Sequence, residues 1–350
     1  MASSARPHAG SKMREFELIR TLKTRYGATH PSIVRGIGDD AAVIASSRNR
    51  YHLLTTDLLA EGVHFDQRTA AFGDIGFRAA TANLSDIAAM GGAPEYLLVS
   101  LALPRDARGR QVTQFYDGLM AACRVHDVKL IGGDTSASRD GWFVNITLIG
   151  SVRSGHVLFR SGARPGDDLY VTGTLGDSRV GFQLLQRPKG ATGTRSLTPR
   201  HRRFLIQRHL RPTARVREGR WLSAVPWATS AIDLSDGLSG DLRHLCTQSG
   251  VGALVELSAL PISPACRRYA LAVKRDPATF ALAGGEDYEL LFTVPTRQRG
   301  PFERASARHR MRVTRVGTMT PAKEGLRMTL PDGRQRKLPL SSYEHFRPSP

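Results

Sequence analysis

The chain is predicted to fold as two α+β domains, and three observations carry that expectation. Its 350 residues exceed what one ordinary hydrophobic core accommodates. Helical periodicities alternate with apolar stretches of strand length, but without the strict strand–helix–strand rhythm of a doubly wound sheet. A loop punctuated by Gly and Pro, Ser161-Gly162-Ala163-Arg164-Pro165-Gly166-Asp167, interrupts the pattern and places the boundary near 154–165. The domains are expected at 13–155 and 156–350, each a mixed sheet covered by helices, after a disordered tail at 1–12. That tail lacks the apolar stretch of a secretory signal, and Met13 could itself begin the protein.

In the first half, Phe16, Leu18, Ile19 and Leu22 have helical spacing within Glu15 to Tyr26. Ala41 to Ala45 and Tyr51 to Thr55 read as strands, and the longest apolar run, Tyr96 to Leu103, is also strand-sized. Asp74 to Met90 is Ala-rich and helical, ending at Gly91-Gly92; Gln111 to His126 is a second long helix. Trp142 to Val152 closes the half as a strand. The second half opens with a strand at Asp168 to Gly173 and a helix at Ser178 to Leu185. Residues 187–203 read as a basic, exposed insertion. Beyond it come a helix at 214–224, a strand at Ser230 to Asp233 and a helix from Gly237 to Ser249. Strands at 252–257, 288–294 and 312–319 bracket helices near 264–273 and 298–308.

Composition excludes several classes. No apolar run approaches the ~18 residues that span a bilayer, so no membrane role is expected. Cys123, Cys246 and Cys266 form no metal-binding or disulfide pattern, which favours a reducing cytoplasm. The net charge of +19 is segmental: 187–220 holds eleven Lys and Arg against one acid, and 297–350 holds thirteen against four. Neither segment interleaves its charge with the aromatics of a nucleic-acid groove. Solvated surface is the favoured reading, and no specific nucleic-acid partner is expected.

The chemistry is carried by five Asp-rich segments, read as turns: Gly38-Asp39-Asp40, Thr55-Thr56-Asp57, Asn83-Leu84-Ser85-Asp86, Gly132-Gly133-Asp134-Thr135 and Asp233-Leu234-Ser235-Asp236-Gly237. One Asp in a turn is ordinary, because its side chain bonds the backbone two residues on. Five such segments flanked by Gly, Ser and Thr supply the hard oxygen ligands that Mg²⁺ requires, and point to a metal and polyphosphate site. No P-loop, dinucleotide fingerprint, protein-kinase signature or nucleophile elbow is present. Phosphate would therefore be held through metal ions, and no nucleophile with a base partner is evident.

Further segments occur in order along nearly the whole chain: Gly62-Val63-His64-Phe65, Arg160-Ser161-Gly162-Ala163, Tyr170-Val171-Thr172-Gly173, His209-Leu210-Arg211-Pro212 and Gly284-Gly285-Glu286-Asp287-Tyr288-Glu289-Leu290. Together with Gly36-Ile37 and Ala41-Ala42 around the first acid pair, they resemble the thiamine-monophosphate kinase family of the aminoimidazole ribonucleotide synthetase-like superfamily. The resemblance implies that superfamily's two-domain fold. It also implies ATP-dependent phosphorylation of thiamine monophosphate to thiamine diphosphate by direct, Mg²⁺-assisted in-line transfer. It assigns Asp40, Thr55, Thr56, Asp57, Asp86, Asp134, Asp233 and Asp236 to several Mg²⁺ ions. Tyr116, Gly133, Asp134, Arg160 and Ser235 would contact ATP, and His64, Glu286 and Tyr343 thiamine monophosphate. Asp39 is left out as a turn residue, and for Tyr116 a place in the core remains equally open. The resemblance also implies a homodimer and leaves open whether K⁺ is needed. Related selenophosphate synthetases and hydrogenase-maturation proteins would call for reactive cysteines that this chain lacks at the corresponding ends.

Overall fold

A computed structural model describes residues 15–187, 193, 195–225 and 227–339. The expected tail at 1–12, Tyr343, and residues 188–192 and 194 of the basic segment lie outside the described residues. The first half contains α1 (Glu15–Tyr26), β1 (Ile33–Arg35), β2 (Ala42–Ser47) and β3 (Arg50–Ala60). It continues with α2 (Phe72–Ala89), β4 (Ala93–Leu103), α3 (Gly109–Arg124), β5 (Lys129–Ala137) and β6 (Phe143–Arg153). The second half opens with β7 (Asp168–Thr172), α4 (Asp177–Gln186), α5 (Pro199–Leu210) and α6 (Val216–Ala224). Then come β8 (Ser230–Asp233), α7 (Leu238–Ser249), β9 (Val251–Glu256), α8 (Pro264–Ala272) and α9 (Pro277–Ala283). The half ends with β10 (Leu290–Val294), α10 (Arg299–Arg308), β11 (Val313–Pro321), β12 (Leu326–Thr329) and β13 (Gln335–Lys337).

Each half holds one mixed sheet, with strand orders β1-β2-β3-β6-β4-β5 and β13-β12-β9-β11-β7-β10-β8. In the first sheet alternate residues divide sharply. Leu53, Leu59, Leu97, Val99, Leu101, Val144, Ile146 and Leu148 are buried in the same core as Ile75, Leu84 and Ile87 of α2 and Phe115 and Leu119 of α3. Their neighbours Leu58, Tyr96 and Phe143 face outward and are exposed, as the two-residue period of a strand requires. In the second sheet, β7, β8 and β10 are buried on both faces. Leu169, Val171, Ile232 and Leu291 pack with Leu238, Leu242 and Leu245 of α7, whereas Tyr170, Ala231, Leu290 and Phe292 join the core of the first half. One core therefore crosses between the halves, and two covered faces explain why these strands read as unbroken apolar runs.

Several differences from the sequence expectation have local causes. Thr55-Thr56-Asp57 lies inside β3 and Gly132 to Thr135 inside β5, while Asn83 to Asp86 lies inside α2, following the helical reading of 74–90 and not the turn reading; only the first and last Asp-rich segments are turns. Turn-forming composition was misleading there because tertiary pairing sets the backbone: β5 runs parallel to β4, with Val99 opposite Gly133. A Cβ on Gly133 would sit 1.8 Å from the Val99 carbonyl oxygen, so this glycine serves the close approach of two strands. The basic 187–203 segment is exposed at Arg195, Arg200 and Arg203, but not throughout. Gly193 and Leu197 are buried, Leu197 in a core cluster with Leu205 and Tyr269. Thr198 then caps α5 by accepting the His201 N–H at 3.2 Å, with Pro199 in the first turn.

Candidate functional site

Three elements converge where the two halves meet. The turn before β2 presents Asp40, α2 presents Asp86, and the end of β8 presents Asp233. Their carboxylate oxygens lie within 4.8 Å of one another. β3 runs alongside: the buried Thr55 Oγ1 donates to Asp86 Oδ2, and Ser85 Oγ donates to Asp233 Oδ2 at 2.6 Å. Asp57, two residues beyond Thr55, shares its face of the strand. Burial pushes the Asp57 carboxyl up to about 6 and that of Asp233 up to about 8, with Asp40 adding repulsion. Asp86 is raised well above the usual range by burial and by Asp57, Asp233 and Asp40. Adjacent carboxylates that resist ionisation together are a group in want of a cation.

Arg160 supplies part of it. Its Nε lies 3.0 Å and its Nη2 2.5 Å from Asp40 Oδ1, so the guanidinium expected to contact ATP holds an acid of the cluster here. The other Asp40 oxygen is buried without a hydrogen-bond partner. That orphaned oxygen, together with the hard-oxygen chemistry of the set, fits a divalent cation.

Asp39 is not the simple turn residue that its sequence context suggested. Its side chain is fully buried, it accepts the Arg160 backbone N–H at 3.2 Å, and Arg35 lies 3.5 Å away. Burial followed by Asp40 raises its carboxyl to about 6. Asp241, which sequence reasoning missed, is likewise buried. Its Oδ2 accepts the N–H groups of Asp236 and Gly237 at 3.2 and 3.1 Å and so shapes the second Asp turn. An Asp in the first turn of the predicted 237–249 helix was the available signal.

Not every family-implied residue joins this cluster. Thr56 Oγ1 lies 3.2 Å from both Asn145 Oδ1 and Thr147 Oγ1. Asp134 is exposed on the edge strand β5 and bonds its own neighbour, Thr135 N–H, at 2.9 Å. Register places Asp134 opposite Ser100, Ser100 opposite Asn145, and Asn145 opposite Leu58. Asp134 therefore stands on the open-face row of the sheet, roughly 14 Å from β3 at ~4.8 Å per strand. Tyr116 is half-buried on α3, edge-on to Phe115, and burial raises its hydroxyl.

Ser235 lies on the second Asp turn, and its carbonyl accepts the Glu286 N–H at 2.8 Å. Glu286 and Tyr288 have φ of 63° and 51°, a left-handed conformation costly for such side chains. Glu286 is about a third exposed, with Arg78 Nη1 3.2 Å from its Oε2. His64 Nδ1 accepts the Ala60 N–H at 3.0 Å. His64 and Glu286 are thus both in place beside α2.

The two sheets and the junctional acid cluster define an AIR synthase-related protein. Residues 38–152 match the N-terminal domain of that family and 164–328 its C-terminal domain. Within it, the chain belongs to the thiamine-monophosphate kinase family. It is 39% identical to the thiamine-monophosphate kinase of Escherichia coli K12 over 95% of this chain and 98% of that one. It is 33% identical to that of Bacillus subtilis, covering 96% and 100%. The solved structure of AaThiL complexed with AMPPCP and TMP superposes with a TM-score of 0.81 at 36% identity, covering 95% of this chain and 97% of that one.

Proposed function

We propose that this protein phosphorylates thiamine monophosphate to thiamine diphosphate with ATP. The observation that carries the reading is the convergence of Asp40, Asp86 and Asp233 in a chain that belongs to this kinase family. A phosphate oxygen of thiamine monophosphate attacks the γ-phosphorus of ATP, the bond to the β,γ-bridging oxygen breaks, and ADP leaves. Several negative groups must be held together, so positioning and charge neutralisation supply most of the rate. Mg²⁺, when bound, would neutralise charge on the transferred group.

Asp40, Asp57, Asp86 and Asp233 would hold it, with Thr55 and the nearby Asp236; Thr56 and Asp134 would serve from the open face. Arg160, Ser235, Gly133, Asp134 and Tyr116 are the nucleotide contacts of this reading, and His64, Glu286 and Tyr343 the acceptor contacts. Purified protein with ATP, Mg²⁺ and thiamine monophosphate should yield thiamine diphosphate and ADP in equal amounts by chromatography. ADP without thiamine diphosphate overturns the reading. Stoichiometric label on the protein from γ-labelled ATP alone overturns direct transfer.

A homodimer through the open sheet face belongs to the same reading. Leu58, Tyr96, Ile131 and Phe143 are exposed on or beside that face, and β5 presents an unblunted edge, with every residue exposed. Covering it would also enclose Asp134. Light scattering at micromolar protein should give the mass of two chains; the mass of one counts against the dimer. No helix among the described residues is long and apolar enough to cross a membrane.

A further inference from the structure

Arg78 is a cation buried at the middle of the molecule, projecting from α2 with 3% of its surface exposed. Three acceptors from different segments meet its guanidinium. Nη1 lies 3.2 Å from Glu286 Oε2 and 2.9 Å from His209 Nε2, and Nη2 donates to the His64 backbone carbonyl. Because a guanidinium only donates, Nε2 of His209 must be the unprotonated nitrogen. Burial, then Arg78, then Arg179 holds the His209 imidazole neutral, with a pKa well below its ordinary value. Its other nitrogen, Nδ1, carries the proton and lies 3.1 Å from Ser178 Oγ and 3.3 Å from Glu286 Oε2.

We propose that Arg78 is the positioning residue of the acceptor-substrate site, fixing Glu286 and His64 together. The inference rests on the reading that these two residues contact thiamine monophosphate. Glu286 sits in a left-handed conformation that it would not hold unaided, and His64 lies on the turn after β3, in the other half of the chain. The backbone bonds of the 284–289 loop tie its main chain to Leu234 and Ser235. The Asp287 carboxylate pins the loop to the N–H groups of Gly176 and Ser178 at 2.6 and 3.1 Å. Neither set of bonds orients the Glu286 side chain. Arg78 does so by drawing Oε2 inward, together with His209, which Arg78 itself holds through Nε2 and whose Nδ1 lies 3.3 Å from the same oxygen. The same guanidinium holds the carbonyl of His64, so the spacing of the two contacts depends on one side chain. A lysine, with a single nitrogen on a flexible stem, cannot reproduce a planar fork that serves three acceptors.

The test compares wild type with R78K, R78M, E286Q and the double variant R78K/E286Q in steady-state assays, with a thermal melt of each. R78K and R78M should raise KM for thiamine monophosphate at least tenfold while moving KM for ATP less than twofold. In the double variant R78K should add little to the effect of E286Q, because the group it positions is already altered. R78M removes the donor shared by these three acceptors; should it not fold, the R78K arm and the double-variant cycle decide. The inference is overturned by an acceptor KM within twofold of wild type in every Arg78 variant that folds. Equal shifts in both KM values, or fully additive effects in the double variant, also overturn it. A wild-type protein that makes no thiamine diphosphate refutes the underlying function instead, which separates the two failures.

Discussion

Two sets of buried acids in this molecule differ in their partners. In the second sheet Glu289 is fully buried. It receives Arg215 through Nε at 2.6 Å and Nη2 at 2.5 Å, Arg208 at 2.8 Å and Thr172 at 2.6 Å. Asp168, also buried, is held by Arg299 and Arg315. Burial opposes ionisation in both, yet the bonds to arginine and their charge prevail, and both carboxyls lie below their ordinary range. At the junction, Asp57, Asp86 and Asp233 are shifted the other way. The chain neutralises Glu289 and Asp168 with its own arginines and leaves the junctional acids short of cations. The first arrangement stabilises a fold; the second suits the cation of the proposed function.

The comparison breaks most sharply by substitution in each region. Asp86→Asn or Asp233→Asn should reduce kcat/KM by about 10⁴-fold, roughly 5 kcal/mol of transition-state stabilisation. The metal-free melting temperature should stay level or rise, since a repelling carboxylate has gone. Glu289→Gln should do the reverse. It strands Arg208 and Arg215 beside a neutral amide and should cost about 3 kcal/mol of stability, with turnover per folded molecule changing less than threefold. Denaturant titrations and steady-state kinetics on all three variants read both axes. Equal stability losses in both regions would erase the distinction.

A smaller effect sharpens it. Asp233 titrates at about 8 and Asp57 at about 6 in the folded chain, against 3.8 without these environments. Between those values the folded state holds protons that the unfolded state has released. Metal-free stability contributed by these groups is therefore present below about pH 4 and lost as pH rises through 6 to 8. Mg²⁺ competes with those protons, so its stabilisation should grow with pH. The gain in melting temperature on adding Mg²⁺ should be several degrees larger at pH 8.5 than at pH 5.5. A gain independent of pH would place the cation elsewhere.

Much of this was legible from the sequence because it depends on local order. The α2 and α3 periodicities, the strand at Ser230 to Asp233 and the 161–167 loop follow from apolar spacing and from Gly and Pro chemistry. The ordered segments resembling the kinase family located Asp40, Asp86 and Asp233 before any geometry was known. Short elements escaped notice, since β1, α9, β12 and β13 carry too few residues for a period to emerge; β5, nine residues long, owes its extended form to pairing with β4.

What the sequence by itself determined was the set of chemical groups and the elements that carry them. Only the tertiary structure decided which acids share a cation-poor space and which meet arginines, because Glu289 and Arg215 are 74 positions apart and Ser85 and Asp233 148. It likewise set Thr56 and Asp134 on the open face of the first sheet, made Asp39 a buried support for Arg160, and gathered His64, Glu286 and His209 around Arg78. The physical reason is that charge interactions depend on separation and burial in space, which the spacing of residues along a chain does not specify.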